Sequence, residues 1–335
     1  MSLRSFLLRR IIYTVVLIFV VIMVNWFIFE GIPGQNGAQQ LLSSSPRLAA
    51  NSDVAARLCA QWNCHASRTD QFIAYIHSML TFQFGVSFEN GEPISHLIVQ
   101  SGRLQNTLVL LGSSTLISIL IGVALGIAAA HKRGSLLDSL AVSGSLTTFA
   151  LPTFWIGLVL ILFLAKDFPL FPGGSVSPLE WTLGPSHVPN ILAQIPIRLQ
   201  YLFLPALTLT LFTYGGFVLL TRATMMDALS EDYILTARAK GLSQRRILFG
   251  HAFKNASLPV ITSSALAFGS ILSGAIITET VFNWSGLGLW LYQAVITKNY
   301  PVMQAMFYLI SLTVIAANFI ADVLYGVVDP RIRYE

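Results

Sequence analysis

The spacing of ionisable groups constrains this chain of 335 residues more than any other feature. A charge at bilayer depth is costly, and a helix of about 20 apolar residues crosses the hydrocarbon. Six windows contain no Asp, Glu, Lys or Arg: 11–29, 104–130, 139–165, 199–221, 255–278 and 299–321. They predict an all-α, polytopic membrane protein with six transmembrane helices. Composition agrees, since 10% of residues are charged against about 25% in ordinary soluble domains. A further charge-free stretch, 280–297, has Asn283, Ser285, Gly286 and Gly288 near its start and Trp284 and Trp290 suited to an interface. It reads as a loop and interfacial helix rather than a seventh span.

Residues 1–29 have the outline of a secretory signal, with Arg4, Arg9 and Arg10 ahead of an apolar run. The run is long enough to span a bilayer and no small-x-small site follows, so it is read as a retained first helix. An even number of spans puts both termini on one side. With that side inside, the inner segments hold Arg4, Arg9, Arg10, Lys132, Arg133, Arg222, Arg238, Lys240, Arg245, Arg246, Lys254, Arg331 and Arg333, 13 of the 20 Lys and Arg. The positive-inside bias therefore predicts a multi-pass protein of the cell membrane with both termini cytoplasmic. The same distribution explains the net charge of +5 through membrane lipids rather than nucleic acid, which is not expected as a partner.

Three parts follow: 1–29 as N-terminal tail and first span, 30–103 as an extracytoplasmic insertion, and 104–335 as the core domain, with a cytoplasmic segment at 223–254. In the insertion, 53–80 has helical potential, with Leu58, Trp62, Phe72, Tyr75, Ile76 and Met79 as apolar contacts. Cys59 and Cys64 lie on the outer side, where a disulfide persists, but five residues of regular helix would point them apart. Either a turn brings them together or they pack separately. The second outer segment, 166–200, is proline-rich and reads as a loop. Gly122 and Gly126 form a GxxxG pattern in the second span, open to ordinary helix packing or to packing against a partner. Pro152, Pro205 and Pro259 lie in or near span starts. Glu279 and Asp322 border charge-free windows, where an interface, a water-filled path and snorkelling are all compatible. No acid lies near the middle of a window, which disfavours a proton-coupled carrier.

The cytoplasmic segment is the one well-formed polar stretch. Between Arg222 and Lys254, apolar residues recur at helical spacing, and Gly241 followed by Ser243 is a stop and restart. Glycine supplies the left-handed turn at a helix end and serine can cap the next helix. Such a helix, corner and helix can lie on anionic lipid or dock in a groove on a soluble protein.

The run Tyr233, Thr236, Ala237, Arg238, Ala239, Lys240, Gly241, with the ending Asn255, Leu258, Pro259, resembles the coupling loop of permease subunits of binding-protein-dependent ABC importers. It is most similar to the dipeptide, oligopeptide and nickel branch. Leu235 stands where the general importer pattern has glutamate, and the Leu-Pro pair follows the glycine later than usual, as it does in that branch. The start LLRRIIYTVVLIFVV, the stretches 103–138 and 279–298, and the ending DVLYGVVDPRIR also resemble the branch; 35–80 does not.

The resemblance implies a type I ABC importer permease fold and a non-catalytic subunit. It implies a second homologous permease, two cytoplasmic ATPases that bind ATP and Mg, and an extracytoplasmic solute-binding protein. Tyr233, Thr236, Ala237, Arg238, Ala239, Lys240, Gly241 and Ser243 are then the ATPase contact, and Asn255, Leu258 and Pro259 the helix restart. The chain has no GxxxxGK[ST] phosphate cradle, no clustered metal ligands and no expected cofactor of its own. Among the branch's substrates, di- or oligopeptides are expected, with oligosaccharides as the alternative; bare nickel lacks a ligand cluster.

Overall fold

The computed structural model describes residues 3–32, 37–44, 53, 56, 59–60, 64–89, 91–184 and 187–328. Leu58, Trp62, Arg331 and Arg333 lie outside them. Among the described residues the regular structure is helical, apart from an isolated bridge between Val86 and Pro93.

Helix α1 (Leu3–Trp26) runs on through a wide turn, Phe27–Gly31. The outer segment supplies α2 (Gly37–Ser44), α3 (Arg68–Leu80) and α4 (Ile94–Gln100). Ser67 caps α3 by accepting the Asp70 N–H at 3.2 Å, and Asp70 itself suits the positive end of the helix dipole. Helix α5 (Arg103–His131) follows, and α6 (Leu136–Ala150) starts back from a Ser135 cap.

Helices α6 and α7 (Thr153–Ile161) meet at 100°, so the window 139–165, expected as one span, is a bent pair. Leu151 is extended at ψ 136° and Pro152 at ψ 137°. Proline removes a backbone donor and pushes the residue before it out of the helical region. A charge-free window carries no sign of that break.

Helix α8 (Ile191–Ser230) is 40 residues long, about 60 Å at 1.5 Å per residue. It begins within 166–200, read above as loop, because Asn190 caps it at 2.9 Å from the Ala193 N–H. Pro196 and Pro205 are both inside it. Helices α9 (Asp232–Ala239), α10 (Phe253–Val281), α11 (Leu287–Ile296) and α12 (Tyr300–Val328) complete the chain. By length and apolar character Ser5–Gly31, Arg103–His131, Ile191–Ser230 and Tyr300–Val323 can each cross a membrane, and the bent pair makes a fifth if it is one span.

Three apolar clusters hold these helices. At one end Tyr75, Met79 and Ile94 pack on Trp290, Met306 and Tyr308, which seats α3 and α4 on α11 and α12. Burial raises the Tyr75 phenol well above the usual tyrosine range. In the middle Leu110 and Leu111 meet Leu204, Leu209, Phe282 and Trp284. The third cluster lies behind the corner at Gly241.

Packing of α5 on α8 explains the GxxxG pattern. A Cβ on Gly126 would sit 2.6 Å from Thr221 Cβ and 2.8 Å from the Val218 carbonyl, and one on Gly122 would meet Phe217. The two glycines therefore serve contact within this chain, letting backbones approach as small residues do between membrane helices. Cys59 and Cys64 are placed in a disulfide with Cα atoms 4.9 Å apart. The Cys64 N–H donates to the Cys59 carbonyl at 3.0 Å.

Candidate functional site

The corner at Gly241 is built by α9, the turn 240–243 and the start of the next helix. Gly241 has φ +73°. Its N–H donates to the Arg238 carbonyl at 2.9 Å, and the Leu242 N–H to the Ala237 carbonyl at 3.3 Å. This pair of bonds is a Schellman motif, which satisfies carbonyls left over at the end of α9 and needs the left-handed conformation that glycine adopts without strain. Arg238 lies in the last turn, where a cation complements the helix dipole.

Ser243 takes the N-cap position, but its side chain makes no capping bond. Its carbonyl accepts from the Arg246 and Ile247 N–H groups at 2.9 and 3.0 Å, so backbone geometry starts the helix. A turn Gln244–Arg246 and a wide turn Ile247–Ala252 lead into α10. Helical geometry therefore resumes after Ser243 and runs on into α10 at Phe253. Asn255 and Leu258 sit within its opening turns and Pro259 lies inside the helix. The missing proline N–H leaves the carbonyl four residues back, that of Asn255, which is exposed.

The corner has two faces. Inward, Ile234, Ala237 and Ile247 are at most 5% exposed and pack with Met225, Ala228, Ile127 and Ala130, in the C-terminal ends of α8 and α5. Tyr233 is half-buried on the same cluster, its hydroxyl buried without a hydrogen-bond partner. Outward, Thr236, Arg238, Ala239, Lys240, Gly241 and Ser243 are exposed, and Leu235 is 69% exposed. Eight residues were expected to form one contact; six face solvent, while Ala237 and Tyr233 belong to the seat. Sequence reasoning missed Ile234, which together with Ile247 fastens the corner. A helical wheel anchored on buried Ala237 places Ile234 one turn away, so the signal was present.

A salt bridge braces the same end of the molecule. Arg222 on α8 holds Asp138 on α6 with two bonds, Nε to Oδ1 at 2.6 Å and an NH2 group to Oδ2 at 2.9 Å. The Gly134 N–H donates to the same carboxylate at 2.9 Å. Bidentate geometry of this kind fixes orientation as well as charge.

At the opposite end Glu279 is fully buried, which rules out snorkelling. Thr107 donates to its Oε1 at 2.7 Å and the Leu289 N–H to its Oε2 at 2.9 Å. The Leu287 N–H donates to Thr107 Oγ1 at 2.8 Å. The carboxylate thus receives the free N–H groups at the start of α11 and ties them to α5. Gly288 permits this approach, since a Cβ there would lie 2.9 Å from Oε2. Asp322, by contrast, pairs with Arg10 at 2.9 Å, joining α12 to α1. Among the described residues no three His, Cys, Asp or Glu converge on a metal position.

Residues 122–334 match the family described as binding-protein-dependent transport system inner membrane component. The chain is 32% identical to the oligopeptide transport system permease protein AppB of Bacillus subtilis (strain 168), over 98% of this chain and 99% of that protein. It is 35% identical to the dipeptide transport system permease protein DppB of Escherichia coli (strain K12), covering 84% and 85%. To the glutathione transport system permease protein GsiC of Salmonella paratyphi A it is 37% identical, covering 79% of each.

Proposed function

The chain belongs to the binding-protein-dependent transport system inner membrane component family, and from that membership we propose that it is one of two permease subunits of an ATP-driven importer of di- or oligopeptides. The substrate class follows relatives named for oligopeptide, dipeptide and glutathione transport. In this reading six spans, α1, α5, the α6–α7 pair, α8, α10 and α12, cross the membrane with both termini in the cytoplasm. Residues 1–29 form the first span, 30–103 the outer insertion and 104–335 the core, with 223–254 as its cytoplasmic segment. The positive-inside distribution of Lys and Arg supports that orientation.

The two-faced corner is the observation that carries the proposal. Its inner face is fastened to the ends of α5 and α8 by Ile234, Ala237 and Ile247, while its outer face offers small residues and two cations to a soluble partner. A cytoplasmic ATPase that binds Leu235, Thr236, Arg238, Ala239, Lys240, Gly241 and Ser243 gains a handle on two spans at once. Two such ATPases carry ATP and Mg; this chain conducts and transmits. A second permease completes the path, and an extracytoplasmic solute-binding protein delivers the peptide.

A test uses the chain purified from its host membrane with native partners. Ala239→Cys, oxidised in membranes, should crosslink to cysteines introduced on the copurifying ATPase, and peptide-loaded binding protein should stimulate ATP hydrolysis. Purification without any ATPase, together with peptide uptake driven by a proton gradient alone, refutes the proposal.

A further inference from the structure

Between α5, α10 and α12 lies a groove of about 1070 Å³ whose walls are apolar except for His131, Ser257 and Ser264. It begins behind the corner, at Leu248, Phe249 and Phe253, and is lined from His131 up to Ile119 on α5 and from Phe253 up to Ser264 on α10. These stretches rise about 16 to 18 Å at 1.5 Å per residue. One leaflet contributes about 15 Å, half of a hydrocarbon core of about 30 Å. Over the described residues the groove is as deep as one leaflet, shorter than a helix that spans both.

Charge is one-sided at its mouth. Gln244 Nε2 lies 3.5 Å from His131 Nδ1, which places the turn after the corner beside the end of α5. Lys132, Arg133, Arg245 and Lys254 are exposed at this end. Lys254 precedes the groove residue Ser257 by three positions, on the same helical ridge. Neither 119–134 nor 244–264 contains an Asp or Glu. On the third wall Asp322 is already paired with Arg10.

We propose that this groove is a binding site for an anionic phospholipid, with an acyl chain along the apolar walls and the phosphate held by Lys254, Arg245 and the Lys132–Arg133 turn. Assignment to the inner leaflet rests on the orientation proposed above; occupancy by lipid does not rest on transport. The chain end nearest the headgroup lies against Leu248 and Phe249, in the wide turn between the corner and α10, so the lipid fills space behind the coupling surface.

The purified complex is placed in phosphatidylcholine nanodiscs with a trace of phosphatidylglycerol carrying a photoactivatable acyl chain. Label is expected in 119–131 and 248–264, displaced at least tenfold more effectively by phosphatidylglycerol than by phosphatidylcholine, since each cation near anionic lipid is worth about a fivefold factor. Ala124→Trp and Ala317→Trp, which fill the groove, should reduce labelling. Arg245→Gln with Lys254→Gln should lower the headgroup preference by at least about fivefold and keep the label; this variant decides the matter if the tryptophan variants do not assemble. Equal displacement by the two lipids, or label no denser in the groove than along lipid-facing α1, overturns the proposal. So does a photocrosslinker at Val260 that captures the second permease instead of lipid. Peptide-stimulated ATPase measured in the same discs separates the two readings: intact labelling without it refutes the importer and leaves the lipid site standing.

Discussion

Substitution of Gly241 separates backbone conformation from surface shape at the corner. At φ +73° a Cβ would find nothing within 4 Å, so a side chain here causes no clash within the chain. Its cost is conformational, about 1 to 2 kcal/mol for an L-residue in the left-handed region and less for Asn. Opposing that strain, the fully buried side chains of Ile234 and Ile247 contribute about 1.5 to 3 kcal/mol each. Anchoring exceeds strain, so Gly241→Ala should leave the corner seated but shift its end turn by a factor of roughly 5 to 30 toward frayed states. The expected order of peptide-stimulated ATPase in nanodiscs is Gly, then Asn, then Ala, then Val. Ile234→Ala, at a cost of about 2 to 5 kcal/mol, should be worse than Gly241→Ala. If Asn is as damaging as Val while Ala equals the parent, side-chain bulk on the docking surface is limiting, and the reasoning from backbone conformation is refuted.

Glu279→Ala removes the acceptor of Thr107 and the Leu289 N–H; each buried orphan donor costs about 1 to 3 kcal/mol, and thermal unfolding of the complex should show a loss that Glu279→Gln halves by keeping one acceptor. Removing Asp138 while Arg222 remains should destabilise by up to about 3 kcal/mol, since the pair is only partly buried; a double-mutant cycle with Arg222→Met, read by denaturation of the complex, should return a coupling energy above about 0.5 kcal/mol. Alkylation of Cys59 and Cys64 should require prior reduction, and reduction should leave ATPase activity unchanged because the bridge closes a short loop in the outer insertion; free thiols before reduction would contradict the bridge.

Much of the architecture is legible in the order of residues because a bilayer penalises charge wherever a span lies. Ends of windows at Arg103, Arg222 and Lys298 are therefore readable without knowing any contact. Gly241 is readable for a related reason, since a helix end must satisfy its carbonyls and glycine does so at positive φ. The break after Leu151 is not, because Pro152 sits in an apolar context that allows a kink, a first turn or a right-angle bend. Glu279 is legible only as a border residue. Its partner Thr107 lies 172 positions earlier, and no local pattern records that pairing. At the corner the motif identified the stretch but not its orientation. The inward turn of Ala237 depends on the ends of α5 and α8, which the motif does not contain.

The length of α8 has a thermodynamic consequence. About 60 Å of helix is twice the hydrocarbon thickness, so Asn190 at one end and Ser230 at the other both reach beyond it. Pro196 and Pro205 are in the outer part, leaving the stretch from Ala206 to Ser230 without proline down to the corner. A tilt of about 10° over that full length displaces one end by about 10 Å relative to the other. If closure of the ATPases favours one tilt by some factor, a loaded binding protein that favours the same tilt at the outer end must favour closure by the same factor. Peptide on the outer side and nucleotide on the inner side are then heterotropic effectors of one another, and measuring either coupling determines both.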